Sequence, residues 1–261
     1  MIATIAYNTF RETVRQKLVL LAAVCAVALA AVSKFFLRLD LGHEQLRFIF
    51  DFSSGALNFF GAIIAVSATC HLFSAEIENK TVITLLSKSV NMFDFVFGKL
   101  AGVCMATAVF CAAVFCAAAV SLLAAQIASG AASGTAAADG ANFAGLAVYC
   151  GVQWLKLCMC AAVAAAVCGV SGSFLFSLAV SFMCVFVSVM GNSLAGLGGN
   201  ANAFVEIASY LFPDFRLLDT AEAFAFGAVD FRLSAFLCAY AAVYICAAAG
   251  LAAFLFSRRD F

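Results

Sequence analysis

Polar and apolar positions along this chain alternate on a long wavelength: runs of about twenty apolar residues are separated by short polar segments. The runs fall at Leu18–Leu37, Gly55–Phe73, Leu100–Ile127, Leu146–Val170, Phe174–Met190 and Leu233–Phe256. A helix needs about 20 apolar residues to cross a hydrocarbon core of about 30 Å. The pattern therefore predicts six spans, and an even number places both termini on one side. Backbone polar groups cannot stay unpaired in lipid, which leaves helices or a closed barrel. A barrel would read as segments of about ten residues alternating apolar and polar, and no such segment occurs. The predicted fold is all-α: one polytopic membrane domain over residues 1–261.

The 17 residues before the first run carry a different pattern. Ile2, Ala6, Phe10 and Val14 recur every four residues, with Asn8, Arg11, Glu12 and Arg15 opposite. That spacing predicts an amphipathic helix over 1–17 lying on the membrane surface, rather than the n-region of a signal peptide. Composition agrees with a membrane protein: 66% of residues are hydrophobic, 11% are charged and one is proline. No room is left for a separate soluble catalytic domain, and no nucleic acid is expected as a partner.

Basic residues in short loops set orientation. With cytoplasmic termini, the inside carries eight (Arg11, Arg15, Lys17, Lys80, Lys88, Lys99, Arg258, Arg259) and the outside five (Lys34, Arg38, Arg47, Arg216, Arg232). The acids Asp214, Asp219, Glu222 and Asp230 gather on the outer face. Both termini are expected in the cytoplasm, with an external loop over 191–232 and a cytoplasmic one between the second and third spans.

That cytoplasmic loop holds a charged island, EIENKTVITLLSKS, Glu76–Ser89. Asn79-Lys80-Thr81 matches a glycosylation acceptor, but sugars are added only on the exported face. Glu76 and Glu78 are expected near the start of a helix carrying Thr81–Ser87, where acids favour the positive dipole end, with Lys88 near the other. Val82, Leu85 and Leu86 supply an i, i+3, i+4 apolar face.

The stretch Ser74–Gly102, SAEIENKTVITLLSKSVNMFDFVFGKLAG, resembles the loop signature of ABC-2 type transporter permeases. Glu76, Glu78, Thr81, Leu85, Leu86, Ser87, Val90, Phe95, Val96, Gly98 and Lys99 stand at matching spacing. Ser89 replaces the usual proline, and Met92 stands where an arginine is common. The resemblance implies a permease subunit with a cytoplasmic coupling loop over 74–99. In it Glu76, Glu78, Thr81, Val82, Leu85, Leu86 and Ser87 face a separate ABC ATPase subunit, and Gly98 and Lys99 close the loop. It also implies a homodimer or heterodimer of permeases in a bacterial inner membrane, with ATP and Mg bound by the partner and no cofactor on this chain. Ala203–Phe212 would form the family's external interfacial or re-entrant element before the last span. Consistent with a separate energy source, no G-x-x-x-x-G-K-[ST] occurs, since Phe93 stands where the first glycine would precede Gly98-Lys99.

Rival chemistry fares worse. Gly169-Val170-Ser171-Gly172 matches the rhomboid protease serine motif, but no histidine follows His71 to act as base. The small residues read as close helix approach or a tight turn. His43-Glu44-Gln45-Leu46-Arg47 begins like a zinc protease motif and ends in Arg47 instead of the second histidine. Most of the 12 cysteines lie in apolar runs, where a thiol acts as a small hydrophobe. Cys158-Met159-Cys160 is the one soft-ligand cluster, with no third ligand in view, so no metal is expected. Lys156 sits well inside the fourth run, at a cost of roughly 2.5–3.5 kcal/mol at mid-bilayer. It is expected to snorkel outward along its stem; the alternative places it at a pathway or dimer interface. Two other classes compete with the ATP-driven exporter. A secondary transporter would need membrane-embedded carboxylates, and a non-transporting assembly or regulatory subunit would still bind an ATPase.

Overall fold

The single proline is Pro213, outside the apolar runs, so no ring interrupts their backbone hydrogen bonding and long helices follow. A computed structural model describes residues 2–32, 45–78, 92–128, 142–171, 173–197 and 213–258, and contains no strand among them. The helices are α1 (Ile2–Arg15), α2 (Lys17–Val32), α3 (Gln45–Glu78), α4 (Met92–Ala128), α5 (Phe143–Val170), α6 (Phe174–Leu197), α7 (Phe215–Asp219) and α8 (Phe231–Ser257). A 3-10 turn over Thr220–Ala225 follows α7 directly.

Four helical segments are long and apolar enough to cross a bilayer: Arg47–Ile77, Phe93–Leu123, Ala144–Val170 and Phe231–Ser257. The apolar parts of α2 and α6, Val19–Leu29 and Phe174–Val189, are shorter within the described residues. The described residues are all-helical, and their long apolar helices mark a membrane-embedded protein. At 1.5 Å per residue, the 34 residues of α3 and 37 of α4 extend about 51 and 56 Å, well beyond a core of about 30 Å. The second apolar run was expected from Gly55, but helix begins at Gln45. Polar residues between them do not break it because Ser53 donates back to the Ile49 carbonyl at 2.8 Å and Ser54 to Asp51 at 3.0 Å.

Aromatic contacts fix an up-and-down arrangement. At one end Phe73 stacks on Phe256 with centroids 5.3 Å apart and meets Phe95 edge-on at 6.4 Å. At the other Phe50 meets Tyr149 at 5.0 Å and Phe226 at 5.4 Å. Helix α5 is central, packing on α3, α4, α6 and α8. Its small buried residues Ala161, Ala164, Ala165 and Cys168 let those neighbours approach closely. Gly169 lies against Leu255, where an added Cβ would come within 3.0 Å. The chain then turns tightly into α6 through Ser171, as the small-residue cluster predicts.

Helix α1 forms over the expected residues, but the face it buries is not the expected stripe. Ala6, Thr9 and Thr13 are buried against the start of α4, while Tyr7 and Val14 are exposed. Gly102 of α4 takes the close contact, since a Cβ there would lie 2.5 Å from the Thr9 Cβ. The predicted stripe is therefore rotated. Small side chains with a self-satisfied hydroxyl, Thr13 donating to the Thr9 carbonyl at 2.8 Å, pack against protein better than Val14 does.

Candidate functional site

Two buried charged positions stand out, one at each level of the bundle. The first lies where α3 ends and α4 begins. Lys99, 3% exposed, reaches from the second turn of α4 to Glu76 at 3.0 Å and donates to the Leu72 carbonyl at 2.8 Å. Its ammonium also sits over the rings of Phe73 and Phe95, at 5.6 and 5.1 Å from their centroids. Glu12 of α1 adds negative potential.

This geometry changes two expectations. Glu76 and Glu78 occupy the last turn of α3, not the start of a following helix. An acid at a helix C-terminus opposes the macrodipole, and the Lys99 ammonium offsets that for Glu76. Gly98 and Lys99 lie within α4, not in a loop. Thr81, Val82, Leu85, Leu86 and Ser87, with Asn79 and Lys80, fall outside the described residues. The interfacial segment Ala203–Phe212 and the His43-Glu44 pair do as well.

The second position is Lys156, near the middle of α5 and 7% exposed. It does not snorkel. Its ammonium meets Asp219 Oδ1 at 2.6 Å and lies 5.9 Å from the Phe215 ring centroid. Gln153, one turn earlier, donates to the same oxygen at 3.4 Å. The partner comes from the segment after Pro213. Asp214 caps α7 by accepting from the Arg216 N–H at 3.1 Å, and its own N–H donates to the Tyr240 hydroxyl at 3.0 Å. Phe215, Leu218, Ala221, Phe224 and Ala225 bury their side chains in the bundle. Asn142, which caps α5, donates its N–H to the Ala225 carbonyl at 2.9 Å and holds the 3-10 turn down. A lysine whose charge is met by an acid inside the bundle has no reason to stretch toward water.

Glu222, on the same turn, has its carboxyl held above the usual carboxylate range, first by burial and then by the neighbouring Asp219 and Asp51 charges. The sequence pattern predicts these acids on the outer face. Asp219 is instead the counter-ion that lets Lys156 stay inside. The signal that could have found it is the need of a mid-run lysine for an acid, but nothing in spacing chooses among four acids between 214 and 230.

Beside the pair, a cavity of about 650 Å³ lies between α3, α5 and α6, with Lys156, Asp219 and Asn58 on its wall. Cys158, Met159 and Cys160 are buried in α5, and no three His, Cys, Asp or Glu side chains group as a metal site among the described residues. His71 is exposed and shares a hydrogen bond with Gln16 at 3.2 Å. No protein-family model matches the chain, and no curated protein matches it either.

Proposed function

We propose that this chain is the membrane subunit of an ABC-2 type transporter, driven by a separate ATPase and working as an exporter. The observation that carries the reading is the contact between the two ends of the signature segment. The first acid, Glu76, is bound to the closing lysine, Lys99, at 3.0 Å. A loop that transmits force needs a rigid base, and this pair clamps α3 to α4 where residues 79–91 leave and return. Helix α1 packs on the same base through Gly102. In this reading Glu78, Thr81, Val82, Leu85, Leu86 and Ser87 meet the ATPase, which binds ATP and Mg. The chain crosses a bacterial inner membrane six times with cytoplasmic termini, its α7 segment entering the outer side of the bundle, and two permease copies or a homologous pair assemble.

The test is co-purification with a candidate ATPase. Replacing Glu78, Leu85 and Leu86 abolishes the complex while the protein still inserts; retained binding overturns the assignment.

One observation favours a second reading, an ion-gradient-driven transporter: Asp219 reaches a mid-helix lysine, and Glu222 beside it holds its proton more tightly than usual. Uptake into proteoliposomes separates the two. ATP-dependent movement that requires the partner supports the first, and movement driven by an imposed proton gradient alone supports the second.

A further inference from the structure

The cavity beside Lys156 is a built site with an apolar body and a polar end. At about 650 Å³ it falls within the range of small-molecule pockets, roughly 300–1,000 Å³. Its mouth is formed by Phe59 of α3 and Met183 and Phe186 of α6, all exposed large hydrophobics facing what would be lipid. Leu157 and Cys160 of α5 form its buried back wall. A body of that character takes a hydrocarbon chain, at about 0.8 kcal/mol per buried methylene.

The polar end defines the head. Lys156 and Asp219 cancel in charge, so a full charge of either sign would meet its like beside its partner. Both hydrogen bonds to Asp219 converge on Oδ1, and among the described residues no donor reaches Oδ2. Lys156 has three donors; one is spent on Asp219, and no other acceptor reaches it among the described residues. Spare donors beside a spare carboxylate oxygen suit a group that both accepts and donates while remaining neutral, which is a hydroxyl.

We infer that this cavity binds a single-chain amphipath with a neutral, hydroxyl-bearing head, of the monoacylglycerol class, entering sideways between α3 and α6. The site does not depend on an ATPase partner, so it stands or falls separately from the transport reading. Gly55 gives the means to test it. It lines the cavity, and a Cβ added there meets nothing within 4 Å, so the position is open to a larger side chain.

The experiment uses the full chain in detergent and tritiated 1-oleoylglycerol, read by scintillation proximity, with unlabelled competitors. Saturable binding is expected, displaced at least tenfold better by 1-oleoylglycerol than by oleate, oleylamine or octadecane. Gly55→Trp is expected to weaken binding at least tenfold with helicity and elution volume unchanged. If that variant fails to fold, Met183→Trp at the mouth serves in its place. The double variant Lys156→Met/Asp219→Leu is expected to bind 1-oleoylglycerol and octadecane equally. Equal displacement by octadecane in the unmodified chain would overturn the head assignment and leave a plain lipid groove. Unchanged binding in the filled variants would overturn the site, as would a Gly55→Trp variant that alters only the oligomeric state, which would make the groove a contact between copies.

Discussion

The Lys99–Glu76 clamp predicts an asymmetry that a surface ion pair would not have. Lys99 has 4% of its side chain exposed and Glu76 has 24%, with 3.0 Å between them. At an effective dielectric of about 20, that separation is worth roughly 5.5 kcal/mol gross, most of which offsets the desolvation of the ammonium. Removing one partner leaves the other's desolvation uncompensated, so the cost follows the burial of the survivor. Glu76→Leu strands the lysine, leaving it the Leu72 carbonyl, two aromatic faces and the more distant Glu12 charge, and is expected to cost about 3–5 kcal/mol. Lys99→Met keeps the length of the side chain and leaves a carboxylate that can draw water. It is expected to cost about 1–3 kcal/mol. The double variant should fall within about 1 kcal/mol of the parent, because both charges and both penalties go together. Equilibrium unfolding by SDS titration in mixed micelles, followed by circular dichroism at 222 nm, measures all four corners of the cycle. A larger loss for Lys99→Met than for Glu76→Leu, or a double variant that loses the sum of the singles, refutes the clamp.

Three further outcomes follow from other contacts. Gly145→Ala would drive a Cβ into the Phe224 carbonyl, and should cost about 1–3 kcal/mol by overpacking, whereas Gly55→Ala, in open space, should stabilise α3 by roughly 0.5–1 kcal/mol; the same SDS titration compares them. Gly102→Leu should push α1 off α4 and make residues 2–15 several-fold faster to be cut by protease, with the bundle's helicity retained. Glu222 has a raised folded pKa, so the folded state holds that proton more tightly than the unfolded chain does. Its penalty is therefore present above the raised value and is relieved as pH falls through it toward the ordinary carboxylate value. Glu222→Gln should flatten that part of the Tm-against-pH curve and raise Tm at neutral pH. A slope unchanged by the substitution would assign it to another group.

What could be read ahead of the structure depended on how far apart the interacting residues lie in sequence. The tight turn after Gly169 involves neighbours, and the residues themselves announce it. The face of α1 was harder. A four-residue repeat of large apolar groups pointed to one stripe, yet Ala6, Thr9 and Thr13 went inward because Gly102, on another helix, offered a groove too shallow for anything larger. Glu76 was placed at a helix start because acids favour that end. The helix it terminates instead tolerates it because Lys99, 23 positions later, is brought alongside. Lys156 shows the same limit more sharply, since its counter-ion is 63 residues away and one of several acids in its segment.

By itself the sequence determined the solvent and the element type. Long apolar runs with one proline can satisfy their backbone in lipid only as helices, and that follows from local chemistry alone. Tertiary structure decided which charges are internal and what they serve. A buried lysine is stable only when an acid from a distant segment reaches within hydrogen-bonding distance, and composition carries no record of which acid does so. The clamp at Lys99 and the polar end of the cavity at Lys156 both exist because packing chose a partner that spacing could not.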